Sequence, residues 1–193
     1  MTENDFFQTA YYHPSIKKED YEKIYRAHIR KEIAHGAILL KEGKIANQFY
    51  VVEQGLFRSF VYDYHGNDVT TGFICSRQIL IESFSLFQRK PSKEYFQAES
   101  DSIVWSIEYK TFTNLLNITE GLREWGRNWA TGQLFSIKQH SIDVLTLNAR
   151  ERYSNLVTER PQIIQQAPLK HIASYLGITD TSLSRIRKEL SEK

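Results

Sequence analysis

The fold of the carboxyl-terminal region is decided by the stretch Leu169-Lys-His-Ile-Ala-Ser-Tyr-Leu-Gly-Ile-Thr-Asp-Thr-Ser-Leu-Ser-Arg-Ile-Arg-Lys188. Two small residues stand where crossing helices need them: Ala173 at the closest approach, and Gly177 at a sharp turn that calls for a positive φ. Apolar residues at helical spacing supply a shared core, namely Ile172, Leu176, Ile178, Leu183 and Ile186. The pattern predicts a helix-turn-helix.

The second helix of this pair presents polar residues that suit a DNA groove. Thr179 can cap the helix, which places its first residue near Asp180. With Leu183 and Ile186 facing inward, Arg185 falls on the outer face near the end that enters the major groove. A guanidinium there can donate two hydrogen bonds to guanine O6 and N7, so we predict that Arg185 reads bases. The candidate DNA contacts are Lys170, His171, Thr179, Asp180, Thr181, Ser182, Arg185, Arg187 and Lys188.

Two questions about these residues stay open. Asp180 either accepts a hydrogen bond from a cytosine amino group or interacts with the helix dipole without touching DNA. The other polar residues are candidates for phosphate contacts, which position a protein without reading sequence, or are ordinary solvated side chains. The candidates for phosphate contacts are Lys170, His171, Thr179, Ser182, Arg187 and Lys188.

The composition limits the class of protein. The chain has 193 residues, of which 41% are hydrophobic and 25% charged, with a formal net charge of +2. This length suits either one large domain or a sensing domain plus a small second domain, and the low net charge means that any DNA contact must be local. The start Met1-Thr-Glu-Asn-Asp-Phe6 lacks a basic region before an apolar core, and no apolar run approaches the roughly 20 residues that span a bilayer. We expect a soluble, cytoplasmic protein without membrane contact.

The region upstream of the helix pair is predicted to contain one helix followed by a β-domain. Apolar residues recur at helical spacing within residues 16–30, which predicts an amphipathic helix. Short β-rich runs separated by glycine turns then predict a β-sandwich, roll or barrel. These runs are residues 37–40, 49–52, 56–62, 69–75 and 102–107.

A long helix is predicted between the β-domain and the helix pair. Residues 120–145 contain no proline and predict about seven turns, and a further helix is predicted over residues 148–159. One small β-domain cannot cover the apolar stripe of so long a helix, so we predict that a second subunit covers it. The alternative is that the stripe packs entirely on its own β-domain. Its residues are Leu122, Trp125, Trp129, Gln133, Ser136, Ile137, His140 and Val144.

Over nearly its whole length the chain resembles the Crp/Fnr superfamily of bacterial transcription regulators. The matching pieces are the Lys41-Glu42-Gly43 turn, the strand and turn Phe49-Tyr-Val-Val-Glu-Gln-Gly-Leu-Phe-Arg58, the turn at Gly66, the long helix and the run from Glu151 to Ile178. The resemblance implies an α+β chain with a cyclic-nucleotide-binding jelly roll over residues 1–117, a dimerisation helix over 118–147 and a winged helix-turn-helix over 148–193. The implied partners are double-stranded DNA at a palindromic site, a second copy of the chain, an unknown small-molecule effector and RNA polymerase.

The chain departs from the family pattern at the nucleotide pocket and at the wing. In nucleotide-binding members, a glutamate and an arginine flank a short helix and hold the ribose and the cyclic phosphate. Glu82 matches the ribose-binding glutamate, but Glu94 stands where the arginine belongs, and a carboxylate repels phosphate. We therefore expect an effector other than cyclic AMP, and a wing that is reduced or absent because neither flank of the helix pair has strand texture. The pocket candidates are Arg77, Glu82, Ser83, Glu94 and Tyr95.

Other functions find little support in the sequence. The β-region has only His35 and His65, far apart, and no nucleophile–base pair or phosphate-binding loop is visible, so we expect no enzyme, no metal and no cofactor. Cys75 alone cannot hold an iron–sulfur cluster, while haem bound through one histidine stays open. The alternative function is a ligand-binding or protein-interaction module whose helix-turn-helix does not bind DNA. Arg185, Arg187 and Lys188 argue against that alternative.

Overall fold

A computed structural model describes residues 3–191. Eight strands in this part of the chain form two antiparallel sheets, ordered β1-β8-β3-β6 and β2-β7-β4-β5, which pack face to face as a jelly roll. The strands are β1 (Ile29–Ile33), β2 (Ile38–Leu40), β3 (Gln48–Gln54), β4 (Phe57–Tyr62), β5 (Asp68–Ile74), β6 (Ile79–Leu80), β7 (Tyr95–Ala98) and β8 (Ser102–Glu108).

Two of the described helices precede the strands of the roll in sequence, one short helix lies between β6 and β7, and the others follow β8. They are α1 (Glu3–Ala10), α2 (Lys18–Arg26), α3 (Ser83–Gln88), α4 (Tyr109–Ile118), α5 (Glu120–Thr146), α6 (Ala149–Glu159), α7 (Pro161–Gln166), α8 (Leu169–Tyr175) and α9 (Asp180–Ser191). None of the helices within residues 3–191 has the length and apolar character needed to cross a bilayer.

The five predicted β-runs and the long helix are confirmed, with small shifts at their ends. The helix predicted over residues 16–30 is too long, because α2 ends at Arg26 and Ile29 already begins β1. In that strand Arg30 pairs with Trp105 of β8, an interaction with a distant segment that local periodicity cannot reveal. Strands β6 and β7 were not predicted, since each is short and lies between turn residues.

The amino-terminal helices share an aromatic core with the roll and with the start of α5. The ring of Phe7 lies 5.2 Å from that of Trp105 in β8, and the ring of Tyr11 lies 4.4 Å from that of Trp125 in α5. A second apolar cluster fills the space between the two sheets, and includes Val52, Leu80 and Val104. The amino-terminal segment is thus an integral part of the domain that contains the roll.

A buried histidine fixes the segment between α1 and the first strand. His28 Nδ1 lies 2.7 Å from the carbonyl oxygen of Ile24, and its Nε2 lies 2.8 Å from the hydroxyl of Tyr11. Because a carbonyl only accepts, Nδ1 carries the proton and the Tyr11 hydroxyl donates to Nε2. Burial lowers the pKa of His28 to about 4, although the hydrogen bond to Ile24 acts in the opposite direction. The imidazole is therefore neutral near pH 7.

The long helix α5 changes its surroundings along its length. Leu122 is fully buried and Trp125 almost so, and both pack into the core of their own roll. Every residue from 130 to 139 is exposed. The prediction that Leu122 and Trp125 face a partner subunit is therefore wrong, because the chain's own roll and amino-terminal helices already cover them.

The last four described helices, α6 to α9, form a second small core at one side of the roll. Asn148 and Glu151 form a capping box at the start of α6, and Pro161 is the first residue of α7. The core of these helices also includes Leu56 and Phe73, which belong to the β-domain. Residues 148–191 contain no strand.

Candidate nucleic-acid interface and effector pocket

The helices α8 and α9 are joined by a turn whose geometry follows from three residues. Ala173 is fully buried at the contact between them, and Gly177 adopts a φ of +67° that other residues rarely take. The hydroxyl oxygen of Thr179 accepts a hydrogen bond from the backbone nitrogen of Ser182 at 3.2 Å, which caps α9. The predicted turn, the predicted cap and the predicted start of α9 at Asp180 are confirmed.

The core between α8 and α9 also follows the prediction. Ile172, Leu176 and Leu183 are buried. Ile178 and Ile186 are partly buried and pack against the same cluster. The apolar spacing in the sequence thus correctly separates the inner from the outer face of α9.

The outer face of α9 presents four exposed residues at positions i, i+3, i+4 and i+7. These are Thr181, Ser184, Arg185 and Lys188, and their spacing places them on one side of the helix, opposite Leu183. Ser184 was not among the predicted contacts, although its helical spacing from Thr181 and Lys188 was available in the sequence. A hydroxyl beside a guanidinium can bond either a base edge or a phosphate.

Most of the remaining exposed candidates of the helix pair lie beside this face of α9. Thr179, Asp180 and Ser182 are exposed at the amino-terminal end of α9, and Asp180 belongs to its first turn. Arg187 is exposed beside a groove of about 740 Å³ between α6 and α9. Lys170 is exposed at the opposite end of α8, next to the β-domain. Thr179, Asp180, Ser182 and Arg187 therefore flank the outer face of α9, whereas Lys170 lies apart from it.

His171 does not lie on a surface that DNA could reach in this structure. It is buried, and its Nδ1 donates to Oε2 of Glu99 at 2.8 Å, across the boundary with the β-domain. The prediction that His171 contacts phosphate is wrong for this conformation, because its side chain points toward the roll.

The segment around α3 places Glu82 at the start of a short helix. Its carboxylate accepts a hydrogen bond from the backbone nitrogen of Ser85, so the residue acts as the cap of α3. Ser83 is the exposed first residue of this helix. Arg77 is exposed in the turn before β6, with a φ of +68°.

Glu94 lies near Glu82 and bonds one hydroxyl group, which in turn contacts a second hydroxyl. Thr71 donates to Oε1 of Glu94 at 2.7 Å, and Oγ of Ser59 lies 2.8 Å from the Thr71 hydroxyl. Burial raises the pKa of Glu94, the hydrogen bond from Thr71 opposes this shift, and the charge of Glu82 raises the pKa further. The site therefore gathers two carboxylates and two hydroxyls.

Tyr95 faces away from this group. It pairs with Phe60 across β7 and β4, and the two rings stack at 4.9 Å. Phe60 shares its face of the sheet with Arg58, whose guanidinium lies 4.1 Å above the Phe60 ring, whereas Ser59 points to the other face. The prediction that Tyr95 belongs to the effector pocket is wrong, because a strand alternates its side chains between faces.

The free half of α5 presents a further candidate surface. Leu134, Ile137 and Val144 are 64%, 67% and 49% exposed, and together with Ser141 they follow the 3-4-3 spacing of a coiled-coil seam. Leu145, beside this seam, is 83% exposed. We name Leu134, Ile137, Ser141 and Val144 the α5 seam.

The apolar stripe predicted from the sequence mixes residues of the α5 seam, Ile137 and Val144, with residues on another side of α5. Trp129 is half-buried against the chain's own core, and the ring of His140 stacks on Tyr175 of α8 at 5.1 Å. Gln133 and Ser136 are exposed beside the seam. The sequence signal that would have separated the two stripes is the heptad spacing from Leu134 to Val144, which the prediction did not use.

No group of three or more metal-ligating side chains exists among the residues the structure describes. Cys75 is half-buried where the β-domain meets the last helices, with its Sγ 3.7 Å from a guanidinium nitrogen of Arg160. The candidate sites are thus the outer face of α9, the α5 seam and the carboxylate pair at α3.

Comparison with known proteins supports the fold of the β-domain. Residues 30–119 match the family model of the cyclic nucleotide-binding domain. The type II regulatory subunit of cAMP-dependent protein kinase from Drosophila melanogaster is 25% identical over 103 residues, which are 53% of this chain and 26% of that protein. The regulatory subunit from Blastocladiella emersonii is 24% identical over 102 residues, 53% of this chain and 25% of that protein. The matched part spans about a quarter of these curated relatives.

Solved structures resemble the chain over a greater part of its length. FixK2 from Bradyrhizobium japonicum gives a TM-score of 0.74 at 18% identity, covering 86% of this chain and 85% of that chain. A Crp/Fnr-family regulator from Eubacterium rectale gives 0.70 at 13% identity, covering 91% and 84%. The catabolite activator protein of Thermus thermophilus gives 0.59 at 15% identity, covering 95% and 87%. The chain therefore shares its overall fold with these three solved structures.

Proposed function

We propose that the protein is a DNA-binding transcription regulator of the Crp/Fnr type, which binds a palindromic site as a homodimer and responds to an effector other than cyclic AMP. The observation that carries this proposal is the pair α8–α9, in which Ala173, Gly177 and Thr179 build the turn and Arg185 lies on the exposed outer face. The proposal includes three parts of the chain: an effector domain over residues 1–117, a dimerisation helix over 118–147 and a DNA-binding domain over 148–193.

The outer face of α9 has the chemistry needed for base recognition in the major groove. Arg185 can donate two hydrogen bonds to a guanine, a contact worth about 1–3 kcal/mol of discrimination. Ser184 and Thr181 lie on either side of it as neutral donors and acceptors. We assign Lys188 to the phosphate backbone, where its charge adds affinity without sequence preference. Residues 148–191 contain no strand, so we infer little or no contribution from a wing.

The α5 seam supports dimerisation. Large exposed apolar side chains at heptad spacing are costly in water, and a second copy of the same helix would cover them. A two-fold axis along α5 would present two α9 helices to half-sites about one DNA turn apart. This geometry explains why we expect a palindromic site.

The carboxylate pair Glu82 and Glu94 argues for an effector without a phosphate at that position. Two acidic groups in a partly buried site repel an anion, and no cation among the described residues is bonded to either carboxylate. A ligand that donates hydrogen bonds to Glu94 and Thr71 suits this site better than a cyclic nucleotide. RNA polymerase is a further partner that the proposed role implies.

The experiment that tests the proposal is fluorescence anisotropy with a labelled duplex from the region upstream of the protein's own gene, at low salt. We expect binding that an unlabelled copy of the same duplex displaces better than a shuffled duplex. The matched control is Arg185→Ala, which should lose this preference. Equal displacement by both duplexes, with and without candidate effectors, would overturn the proposal.

The alternative is a ligand-binding or protein-interaction module in which α8–α9 has no DNA to bind. The match of about half the chain to regulatory subunits of cAMP-dependent protein kinases favours this alternative. The anisotropy experiment separates the two functions, because only the first requires a preference among duplexes.

A further inference from the structure

The helix α8 covers an edge of the β-domain that would otherwise be open. Strand β5 lies at the end of the sheet order β2-β7-β4-β5, so its outer backbone groups have no partner strand. The backbone nitrogen of Thr70 donates to Oγ of Ser174 at 2.9 Å, and this hydroxyl lies 3.3 Å from the carbonyl oxygen of Asp68. One side chain of α8 thus takes the place of a neighbouring strand, which protects the edge.

A buried polar cluster lies one turn earlier on the same face of α8. His171 donates from Nδ1 to Oε2 of Glu99 at 2.8 Å, while Oε1 of Glu99 lies 2.9 Å from Nε of Arg58. Arg58 is 3% exposed, Glu99 5% and His171 8%. Arg58 also forms a two-pronged ion pair with Asp68 in β5. Glu99 therefore links Arg58 of the roll to His171 of α8.

Such a cluster is better suited to fixing geometry than to adding stability. Removing two charges from water costs several kcal/mol per ion, and the attraction between them offsets this only when the geometry is good. A purely apolar contact between α8 and the roll would tolerate sliding, whereas a carboxylate held by two donors defines one position. The apolar contacts at Leu56 and Phe73 provide adhesion without this directional constraint.

We propose that Glu99 is a positioning residue for DNA recognition: through His171 it holds α8–α9 in one orientation on the effector domain. This inference rests on the proposed function, and it adds a residue of the effector domain to the DNA-binding machinery. In a dimer, the distance between the two α9 helices depends on how each DNA-binding unit sits on its own roll. Without the contact between Glu99 and His171, the α8–α9 unit of each subunit can reorient on its roll. Binding to a duplex with two half-sites must then restrict this additional motion, which lowers the affinity.

Strand β5 offers a physical link between this contact and the effector pocket. Two adjacent residues of β5 contact α8 and the pocket. The backbone nitrogen of Thr70 donates to Ser174 of α8, and the hydroxyl of Thr71 donates to Glu94 of the pocket. The pairing of β4 with β5 shifts register at this point: Ser59 pairs with Gly72 and Phe60 with Thr70, so Thr71 is the extra residue of a bulge. An occupant of the pocket that displaces Thr71 would act on the same strand that carries α8.

The test compares Glu99→Gln with the parent protein on two duplexes, one with both half-sites and one with a single half-site. The substitution keeps the size of the side chain and leaves the pair between Arg58 and Asp68 in place. We expect affinity for the two-half-site duplex to fall about tenfold, within the usual range of coupling between sites, and affinity for the half-site to stay within about twofold. Unchanged or raised affinity for the two-half-site duplex, or an equal loss on both duplexes, overturns the proposal.

Hydrogen exchange gives a second measurement that does not depend on DNA. The Thr70 amide, which donates to Ser174, should exchange faster in Glu99→Gln and in Ser174→Ala than in the parent protein. The matched control is Glu53→Gln, which removes a carboxylate bonded to Trp105 and Arg30 away from this boundary. If the parent protein binds no duplex selectively, the proposed function fails, whereas unaltered exchange at Thr70 in Glu99→Gln refutes the positioning role alone.

Discussion

Thr179 and Ser182 define the start of the candidate recognition helix: the hydroxyl oxygen of Thr179 accepts a hydrogen bond from the Ser182 backbone nitrogen at 3.2 Å. This cap places Arg185 in the second turn of α9, on its exposed side. The position of Arg185 on the DNA therefore depends on where the helix begins, since each residue advances it by 1.5 Å.

Arg185 and Lys188 are expected to differ in what they contribute to DNA binding. Arg185→Ala should cost about 1–3 kcal/mol on the preferred duplex and little on shuffled DNA, because a base contact is lost. Lys188→Ala should weaken binding to all sequences alike and reduce the slope of log affinity against log salt by about one unit. Anisotropy titrations at several salt concentrations measure both quantities. The same loss of preference in both variants would contradict the assigned roles.

The α5 seam is expected to hold the dimer together. Ile137→Lys places a charge in the centre of the seam, so the protein should become monomeric at concentrations where the parent is a dimer. Gln139→Lys is the matched control, because Gln139 lies away from the seam and already bonds Asp143 one turn later. Light scattering after size-exclusion chromatography gives the mass directly. A dimer of Ile137→Lys would show that another surface carries the association.

Cyclic AMP is expected not to stabilise the protein. A ligand that binds the folded state raises the melting temperature as its concentration exceeds its Kd, and Glu94 should keep the phosphate out. A thermal-shift titration with cyclic AMP should therefore be flat for the parent protein, and any rise should be larger for Glu94→Gln. A concentration-dependent rise in the parent would show that Glu94 does not act as the barrier.

His28 is expected to make stability depend on pH. Its pKa is lowered to about 4 in the folded state, from 6.5 in a model imidazole, so the unfolded chain takes up the proton first. The stabilisation is complete above about pH 6.5 and is lost as the pH falls through 4, to a total of about 3 kcal/mol. Urea unfolding of the parent and of His28→Gln between pH 7.5 and 4 measures this contribution. Parallel pH profiles for the two proteins would contradict it.

Gly121 is expected to be necessary at the start of α5. A Cβ on this residue would lie 2.4 Å from the backbone carbonyl carbon of Ser15, which cannot move without shifting the amino-terminal segment. Gly121→Ala should therefore lower the free energy of unfolding by several kcal/mol. Gly126→Ala is the control on the same helix, because no atom lies within 4 Å of its added Cβ. That variant should gain about 0.5–1 kcal/mol of helix stability, and a reversed order of the two would refute the packing argument.

The surroundings of the α5 stripe and of His171 could not be predicted from the sequence. Periodicity on α5 correctly predicts a helix with an apolar side, but Leu122 and Val144 lie in different surroundings because the roll reaches only the first turns. The polar character of His171 suggests a surface residue, yet a carboxylate 72 positions earlier in sequence pairs with it. Which distant residue meets a side chain depends on the path of the chain and is not encoded in local spacing.

The sequence by itself determined the elements whose causes are local: the length of α5, the turn at Gly177, the cap at Thr179 and the outward position of Arg185. These depend on helical periodicity, backbone freedom and hydrogen bonds between residues three or four apart. Only the tertiary structure decided that Tyr95 faces away from Glu94, that α8 covers the edge of β5, and that Glu99 joins Arg58 to His171. Those relations arise when strands and helices distant in sequence pack together, which places their side chains within bonding distance.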